Sequence, residues 1–370
     1  MAILAKPLFA LMGGNLMSFT LTTARHRLYL LNSEQVLSKG AKVPMVCGLC
    51  NASALIVFLN SLKIAHILHQ AMGFRFFGSV AVSCGVAQNV QKVIYKPGRS
   101  KTLTYTIQEA YGHRYLDEGP TTDLPPVVLL HGLLGEVTNW TATVGALAAQ
   151  GYRVLVPVLP IYDLPANQSN MQGLVEYVRG YLETLHLAPV ALAGNSLGGH
   201  IALLCALHYP ESVVALILSG SSGIFEVKTG TTTFRRRDRN FIRERAALTF
   251  YDPVHVTDEL VEKSYDLAND RNRALRLLKL ARSLQSETIF DQLSQIDVPT
   301  QLIWGRNDRL TPPHVAEEFL RHLPRAELHF IDWCGHAPMI EHPDVFNRLA
   351  LAFLHKTIGT PTLASSGSTP

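Results

Sequence analysis

The sequence has little charge, few cysteines and no apolar run long enough to cross a membrane. Charged residues make up 17% of its 370 residues, and the five cysteines are odd in number and show no framework spacing. A membrane-spanning helix needs roughly 20 mostly apolar residues, and the best candidate stretch, 43–59, is shorter. These shortages exclude a disulfide scaffold and favour a reducing compartment, so we expect a cytoplasmic protein.

Acidic residues are almost absent from the first hundred residues. Residues 1–108 contain 11 Lys or Arg and a single acid, Glu34, whereas 109–370 contain 22 basic and 28 acidic residues. Because the basic residues are spread out rather than clustered, no nucleic-acid partner is expected. We interpret residues 1–100 as an N-terminal extension outside the folded core.

Three origins of this extension stay open. It is an upstream stretch outside the folded protein, for instance from a misplaced start codon, or a targeting segment, or a membrane attachment. The last two would place the protein in an organelle or at a membrane instead of the cytoplasm.

No cysteine, histidine or carboxylate pattern indicates a metal or another cofactor. Cys47 and Cys50 have the spacing of a redox motif, but the strand and helix that such a motif needs around it are not evident. We interpret this spacing as a coincidence. No cluster has metal-ligand spacing, so we expect neither a metal nor a cofactor.

Strands alternate with helices after the extension, which is typical of an α/β fold with a mostly parallel sheet between helices. Residues 221–295 break this rhythm, because they contain only charged helical patterns. We expect a helical cap there, inserted after the sixth strand and lying over the strand ends. The predicted organisation is a core from 101–220 and 296–357, and a disordered tail at 358–370.

The cap contains ten arginines. One of them could bind a substrate carboxylate through two hydrogen bonds. Acidic residues are interspersed among them, however, and this pattern favours solvated helix faces.

A serine stands between glycines where an apolar strand pattern changes to a helical one, in Gly194-Asn195-Ser196-Leu197-Gly198. Glycines at these positions let the strand and the helix pass closely, and the turn presents the serine oxygen at the helix N-terminus. We interpret Ser196 as a nucleophile. The alternative is a turn serine that caps the helix.

A serine nucleophile needs a base, and the base needs an acid that orients it. His336 lies in a loop after a predicted strand, and Asp308 lies in a polar turn directly after another. Since all three side chains follow strand ends, in the order serine, aspartate, histidine, we expect a catalytic triad at one edge of the sheet.

The tetrahedral oxyanion of such a reaction needs two backbone donors. We expect one from the N–H of Leu197, directly after the nucleophile. The other is expected from Leu133 in the His131-Gly132-Leu133 loop after an earlier strand. His131 is expected to be structural rather than a second base, and Asn195, His131 and Gly132 are candidates for substrate contact.

Together these motifs resemble the α/β-hydrolase fold, over residues from about 104 to 356. The resemblance implies that fold, a serine hydrolase activity and the triad Ser196, Asp308 and His336. The haloalkane dehalogenase and epoxide hydrolase branches also resemble this chain, but they use an aspartate where Ser196 stands.

A closer similarity is to the carbon–carbon bond hydrolases that act on ring-cleavage products. It rests on Asn195 and on two cap segments, 250–253 and 256–260. Those enzymes usually carry a tryptophan directly after the catalytic histidine, where this chain has Ala337.

We therefore expect first an esterase that cleaves a small carboxylic ester through an acyl-enzyme. One alternative is a carbon–carbon bond hydrolase acting on a vinylogous diketo acid. Two others are an acyltransferase with the same triad and a non-catalytic binding protein of the same fold. In the catalytic cases the partner is a small-molecule substrate, and the oligomeric state is left open.

Overall fold

The computed structural model of the chain describes residues 8–12, 15–24, 27–32, 91–95, 103–224 and 235–361, with side chains from residue 105 onward. The chain divides into two compact units, Met1–Cys84 and Gly85–Pro370. Cys47, Cys50 and the apolar stretch 43–59 lie outside the described residues, as does most of the predicted tail. The predicted domain boundaries stay predictions.

In the first unit, three described strands form an antiparallel sheet. They are β1 (Leu8–Met12), β2 (Asn15–Ala24) and β3 (Arg27–Asn32), in that spatial order. Met12 pairs with Asn15 and Ala24 pairs with Arg27, so only two residues separate the paired ends of neighbouring strands.

In the second unit, the described strands form one nine-stranded sheet, in the spatial order β12-β11-β10-β9-β7-β8-β6-β5-β4. The strands are β4 (Gln91–Tyr95), β5 (Leu103–Ala110), β6 (His113–Glu118), β7 (Val127–Leu130), β8 (Val154–Pro157), β9 (Val190–Asn195), β10 (Val213–Ser219), β11 (Thr300–Gly305) and β12 (Ala326–Ile331). Pairing is parallel from β12 to β8 and antiparallel from β8 to β4. This confirms the mostly parallel sheet. Strand β4 was not predicted and lies within 1–100.

The central strands are apolar throughout because both faces of the sheet are covered. Every residue of β7, β8, β9 and β11 is buried. In β9, Val190 and Leu192 pack into the core on one face, and Ala191 and Ala193 pack into the core on the other. Side chains of a strand alternate between faces, so this short run contributes to both cores.

The described helices lie on both sides of the sheet. They are α1 (Thr141–Ala149), α2 (Met171–Thr184), α3 (Leu197–His208), α4 (Arg239–Ala246), α5 (Asp258–Asn269), α6 (Arg271–Ser286), α7 (Pro313–His322), α8 (Pro338–Glu341) and α9 (Pro343–Thr357). Helices α2, α3 and α7 contribute to one core, and α1 and α9 to the other. None of the helices described is long and apolar enough to cross a membrane.

The cap consists of α4, α5 and α6, between β10 and β11, as predicted. Counted from β5, the strand before the cap is the sixth, as predicted, and β4 precedes these strands in the same unit. Each cap helix begins at a capping residue whose side chain accepts a backbone N–H of the first turn, and these residues are Asp238, Thr257 and Asp270.

Several cap arginines form ion pairs at the surface. Arg239 binds Glu262 through two hydrogen bonds of 2.6 and 2.9 Å, and Arg243 pairs with Asp258. Since all four side chains are largely exposed, these arginines lie on solvated helix faces.

A buried tryptophan in β11 supports the turn that carries Asp308. Trp304 is fully buried, and its indole N–H donates to the carbonyl of Thr311 at 2.7 Å. We expect Trp304→Phe to lower the free energy of unfolding by about 1–3 kcal/mol, because a buried carbonyl loses its donor. Urea denaturation measures this change.

The matched control is Trp333→Phe. Trp333 is 66% exposed, so this change is expected to stay within about 0.5 kcal/mol of the wild type. Equal effects at the two positions would contradict a supporting role for Trp304.

Candidate active site

Ser196 stands at the junction of β9 and α3 in a strained conformation. Its φ is +54° and its ψ is −117°, a left-handed backbone that serine rarely adopts. Its side chain makes no hydrogen bond that caps the helix. Ser196 is partly exposed, whereas Asn195 and Leu197 on either side are buried. The hydroxyl is therefore presented at the surface of the site, as a nucleophile requires, and does not serve as a helix cap.

Two glycines allow this turn. A Cβ atom on Gly198 would collide with the carbonyl oxygen of Leu130 at the end of β7, and one on Gly194 would collide with the backbone of Gly198. A side chain at either position would push α3 away from the sheet.

Asp308 and His336 form a buried hydrogen-bonded pair. The distance between Asp308 Oδ2 and His336 Nδ1 is 2.8 Å, and both side chains are almost inaccessible to solvent. Asp308 lies just after β11, and its Oδ1 accepts the backbone N–H groups of Leu310 and Thr311 at 2.8 and 3.0 Å. The aspartate is thus held by its own turn and faces the histidine.

The ends of β9 and β10 meet the His336 loop beside Ser196. The carbonyl of Ser219 accepts the N–H of Ser196 at 3.0 Å. In the next residue, Gly220, a Cβ atom would lie only 2.8 Å from His336 Nδ1. Asn195 donates through Nδ2 to the carbonyls of Ser219 and His336, both at 2.9 Å. The fold therefore brings Ser196, Asp308 and His336 to the same edge of the sheet.

The hydrogen bonds of Asn195 bear on its predicted contact with substrate. Both hydrogens of its side-chain amide are used by backbone carbonyls, and the residue is buried. Within the fold Asn195 holds the histidine loop against the end of β10. Its contact with substrate stays a prediction.

The loop after β7 lies against the serine. A Cβ atom on Gly132 would lie 3.4 Å from the Cβ of Ser196. The loop is closed by a 3.0 Å hydrogen bond from the N–H of Gly135 to the carbonyl of Gly132, with Leu133 between them. Leu197 is the first residue of α3, so its N–H has no acceptor within the helix. The two predicted oxyanion donors thus lie in segments that border Ser196.

His131 is a structural residue of that loop. Its Nδ1 lies 3.0 Å from the carbonyl of Gly132, and its Nε2 accepts the N–H of Leu159 at 3.2 Å. This network assigns the proton to Nδ1. Burial lowers the pKa of His131, which agrees with a neutral ring. Both ring nitrogens are used within the fold, so neither serves as a second base, and its predicted contact with substrate stays a prediction.

Glu341 is a site residue that sequence patterns did not reveal. Its carboxylate accepts the N–H of Gly335 at 2.7 Å and those of Tyr251 and Asp252 at 2.7 and 3.1 Å. It therefore joins the loop of His336 to the cap. No local signal marks it, because its partners include residues about ninety positions earlier in the chain.

Two further contacts join the cap to the triad loops. The N–H of His336 donates to the carbonyl of Thr249 at 2.7 Å. The guanidinium of Arg309 donates to the carbonyls of Ala247 and Phe250. Residues 247–252 accept these bonds and donate those to Glu341, and we call this segment the cap foot.

Thr311 is the second residue that was missed. Its hydroxyl oxygen lies 2.9 Å from Asp308 Oδ2 and 3.2 Å from His336 Nδ1. An aspartate followed three residues later by a threonine in a turn is a recognisable signal for a polar turn that closes on itself.

Among the described residues, no group of three or more histidines, cysteines or carboxylates is placed to hold a metal ion. The contacts described above are suited to a nucleophile, a base with its orienting acid, and backbone donors.

A sequence model of the family described as "Alpha/beta hydrolase family" matches residues 127–349, which is more than half of the chain. The chain belongs to this family. The match begins at β7 and ends in α9, so it includes every residue of the predicted triad.

Curated relatives agree in the reaction that their names describe. This chain is 32% identical to a 2-hydroxy-6-oxononadienedioate/2-hydroxy-6-oxononatrienedioate hydrolase of Burkholderia vietnamiensis, over 65% of this chain and 90% of the relative. It is 30% identical to a 2-hydroxy-6-oxo-6-phenylhexa-2,4-dienoate hydrolase of Burkholderia cepacia, over 62% of this chain and 87% of the relative.

Solved structures of similar proteins share the fold. An alpha/beta hydrolase enzyme from a sediment metagenome of the Mar Chica lagoon is 34% identical, with a TM-score of 0.56. It is matched over 68% of this chain and 98% of its own. A meta-cleavage product hydrolase from Pseudomonas fluorescens IP01 is 27% identical, with a TM-score of 0.60 over the same shares of the two chains.

These names correct the first expectation for the reaction. A carboxylic ester was predicted as the substrate, largely because Ala337 replaces a tryptophan, and this prediction was wrong. The relatives are hydrolases of 2-hydroxy-6-oxo acids, in agreement with the alternative, a carbon–carbon bond hydrolase. Ala337 is 2% exposed and packs into the core, so the residue type there reflects packing and is a poor guide to the bond that is cleaved.

The carboxylate of Glu341 suggests a direct test of the link between the cap and the histidine loop. We expect Glu341→Gln to lower the free energy of unfolding by about 1–3 kcal/mol, because an amide NH₂ would face backbone N–H donors. Urea denaturation measures this. Glu317→Gln, at an exposed position of α7, is the control, and equal stability of the two variants would refute the link.

His200, one turn after Ser196 in α3, makes the stability depend on pH. It is fully buried, and burial lowers its pKa to about 4, whereas an unfolded histidine titrates near 6.5. Since the folded pKa is the lower one, the neutral ring stabilises the fold fully above about pH 6.5. This stability is lost as the pH falls toward 4.

Between pH 7 and pH 5, we expect the free energy of unfolding of the wild type to fall by about 2 kcal/mol more than that of His200→Leu. Urea denaturation at the two pH values measures the difference. The control His208→Leu removes an exposed histidine of the same helix and is expected to keep the wild-type dependence. If the stability of His200→Leu depended on pH as that of the wild type does, another group would be responsible.

Proposed function

We propose that this hydrolase cleaves a carbon–carbon bond in a 2-hydroxy-6-oxo dienoate, a vinylogous diketo acid, with Ser196, His336 and Asp308 as its triad. The observation that carries the proposal is the buried Asp308–His336 hydrogen bond beside a strained serine that caps nothing. It occurs in a chain whose relatives are named as hydrolases of such acids over about 90% of their length.

The tautomer of the histidine follows from its partner. His336 Nδ1–H donates to Asp308, so Nε2 carries the lone pair and is the base that takes the proton of the Ser196 hydroxyl. The carboxylate of Asp308 stabilises the positive ring that results. The N–H groups of Leu197 and Leu133 then donate to the oxyanion that forms on the attacked carbonyl.

The substrate class explains how a carbon–carbon bond can break here. The leaving carbon must carry an electron pair when the bond to the 6-oxo carbon breaks. When the 2-hydroxyl proton has moved to that carbon, C5, the substrate is a ketone conjugated with the C3–C4 double bond. The electron pair then delocalises onto the 2-oxo oxygen as a dienolate.

The steps balance with one water consumed. The oxygen of Ser196 attacks C6, the C5–C6 bond breaks, and the acyl group stays on Ser196 while the dienolate is protonated and departs. Water, deprotonated by His336, attacks the acyl carbon and releases the acid, and Ser196 recovers its proton.

Cleavage of two dienoates tests the proposal. We expect the purified protein to remove the absorbance of 2-hydroxy-6-oxo-6-phenylhexa-2,4-dienoate or of 2-hydroxy-6-oxononadienedioate, with the matching carboxylic acid detected by mass spectrometry. Ser196→Ala should lower kcat by about 10³-fold or more, because the nucleophile is lost. The control Ser294→Ala, at an exposed position after the cap, should retain the wild-type rate.

Two results would count against the proposal. If the protein turned over simple p-nitrophenyl esters but cleaved neither dienoate, cleavage of a carbon–carbon bond would be rejected. If Ser196→Ala cleaved a dienoate at the full rate, the role of Ser196 as nucleophile would be rejected.

A further inference from the structure

The carboxylate of Asp308 accepts four hydrogen bonds, two on each oxygen. Leu310 and Thr311 donate backbone N–H groups to Oδ1 at 2.8 and 3.0 Å. The hydroxyl of Thr311 and Nδ1 of His336 approach Oδ2 at 2.9 and 2.8 Å. An ionised carboxylate has about four acceptor positions, so this one is saturated.

A single residue supplies two of these four donors. Thr311 binds Oδ1 through its backbone N–H and Oδ2 through its hydroxyl. The torsion that turns a carboxylate about its Cβ–Cγ bond is soft, and such a group is free to rotate unless its oxygens are held. Bonds from one residue to both oxygens hold the plane of the carboxylate.

Thr311 itself is firmly placed. It is 4% exposed, and its carbonyl accepts the indole N–H of the fully buried Trp304 at 2.7 Å. The position of the hydroxyl is therefore set by β11 and its core contacts, and does not depend on Asp308 alone.

The direction of the hydroxyl proton follows from the histidine. Thr311 Oγ1 lies 3.2 Å from His336 Nδ1 and 2.9 Å from Asp308 Oδ2. Because Nδ1 already carries a proton that it donates to Asp308, it cannot accept a second. The hydroxyl proton therefore points to Oδ2.

We propose that Thr311 is a positioning residue for the reaction, which aims Oδ2 of Asp308 at His336 and so keeps Nε2 of the ring directed at Ser196. The proposal rests on the triad roles proposed above. Without the hydroxyl, the carboxylate keeps its two bonds to Oδ1, but only the histidine then holds Oδ2. The carboxylate turns away from the ring more often, and the base is aligned in a smaller fraction of molecules.

Two substitutions separate the hydroxyl from the shape of the side chain. Thr311→Val has the same shape without the hydroxyl, and Thr311→Ser keeps the hydroxyl. We expect Thr311→Val to lower kcat on the dienoate about tenfold, with KM within about twofold, because the hydroxyl acts on base alignment and not on substrate binding. Thr311→Ser should recover most of the lost rate.

The rate of labelling of Ser196 by a fluorophosphonate is measured alongside, because it reports the reactivity of the serine without any assumption about the substrate. Thr311→Val should slow this labelling about as much as it lowers kcat. Thr143→Val, which removes a hydroxyl from an equally buried threonine of α1, should not change it.

A double-mutant cycle tests whether the hydroxyl acts through Asp308. In an Asp308→Asn background, Thr311→Val should add little further loss, since the group that it aims is already altered. If Thr311→Val lowered the rate as much in the Asp308→Asn background as in the wild type, the effect would be a general structural one and the proposal would be overturned. Equal losses of rate in Thr311→Val and Thr311→Ser would overturn it as well.

The outcomes also separate this proposal from the proposed function. If labelling follows the predicted pattern while neither dienoate is cleaved, the positioning role of Thr311 is supported and cleavage of a carbon–carbon bond is rejected. If Thr311→Val is labelled at the wild-type rate, the role of Thr311 is rejected and the triad stands. If wild-type Ser196 is not labelled at all, both are rejected.

Discussion

The close approach of helix α3 to strand β7 is the constraint on which the site depends. The carbonyl of Leu130 occupies the space where a side chain of Gly198 would lie. The helix can therefore begin directly at the end of β9, and Ser196 is forced into its left-handed turn. The same contact places Ser196 against the loop at Gly132 and beside Gly220, where the ring of His336 lies. Moving α3 outward would separate the nucleophile from both neighbours at once.

The parts of the molecule that the sequence predicted are those encoded within a few residues. Apolar runs predicted the central strands, and glycine spacing with a serine between predicted the turn of Ser196. The order of Ser196, Asp308 and His336 after successive strands predicted their meeting at one edge, because parallel strands end on the same side. The capping aspartates and threonine of the cap helices are also local signals, although no helix start was predicted from them.

What the sequence did not predict depends on contacts between distant segments. Glu341 gains its partners Tyr251 and Asp252 only when the cap lies over the core. Strand β4 is defined by its pairing with β5, and its own residues stand in a segment without a clear pattern. The reaction was predicted wrongly from Ala337, since one buried position near the base says little about which substrate the site accepts.

The cap foot has a consequence for engineering this hydrolase. Residues 247–252 accept hydrogen bonds from His336 and Arg309 and donate two to Glu341, and these three partners lie beyond β11 in the second part of the core. A cap transplanted from another hydrolase would therefore dock correctly only if its backbone placed carbonyls and N–H groups at the same positions as residues 247–252. A working chimera would need to retain the recipient's segment 247–252, or to bring the donor's counterparts of Arg309 and Glu341 with it. A crossover point for exchanging the cap therefore lies after residue 252 and not at the start of the cap.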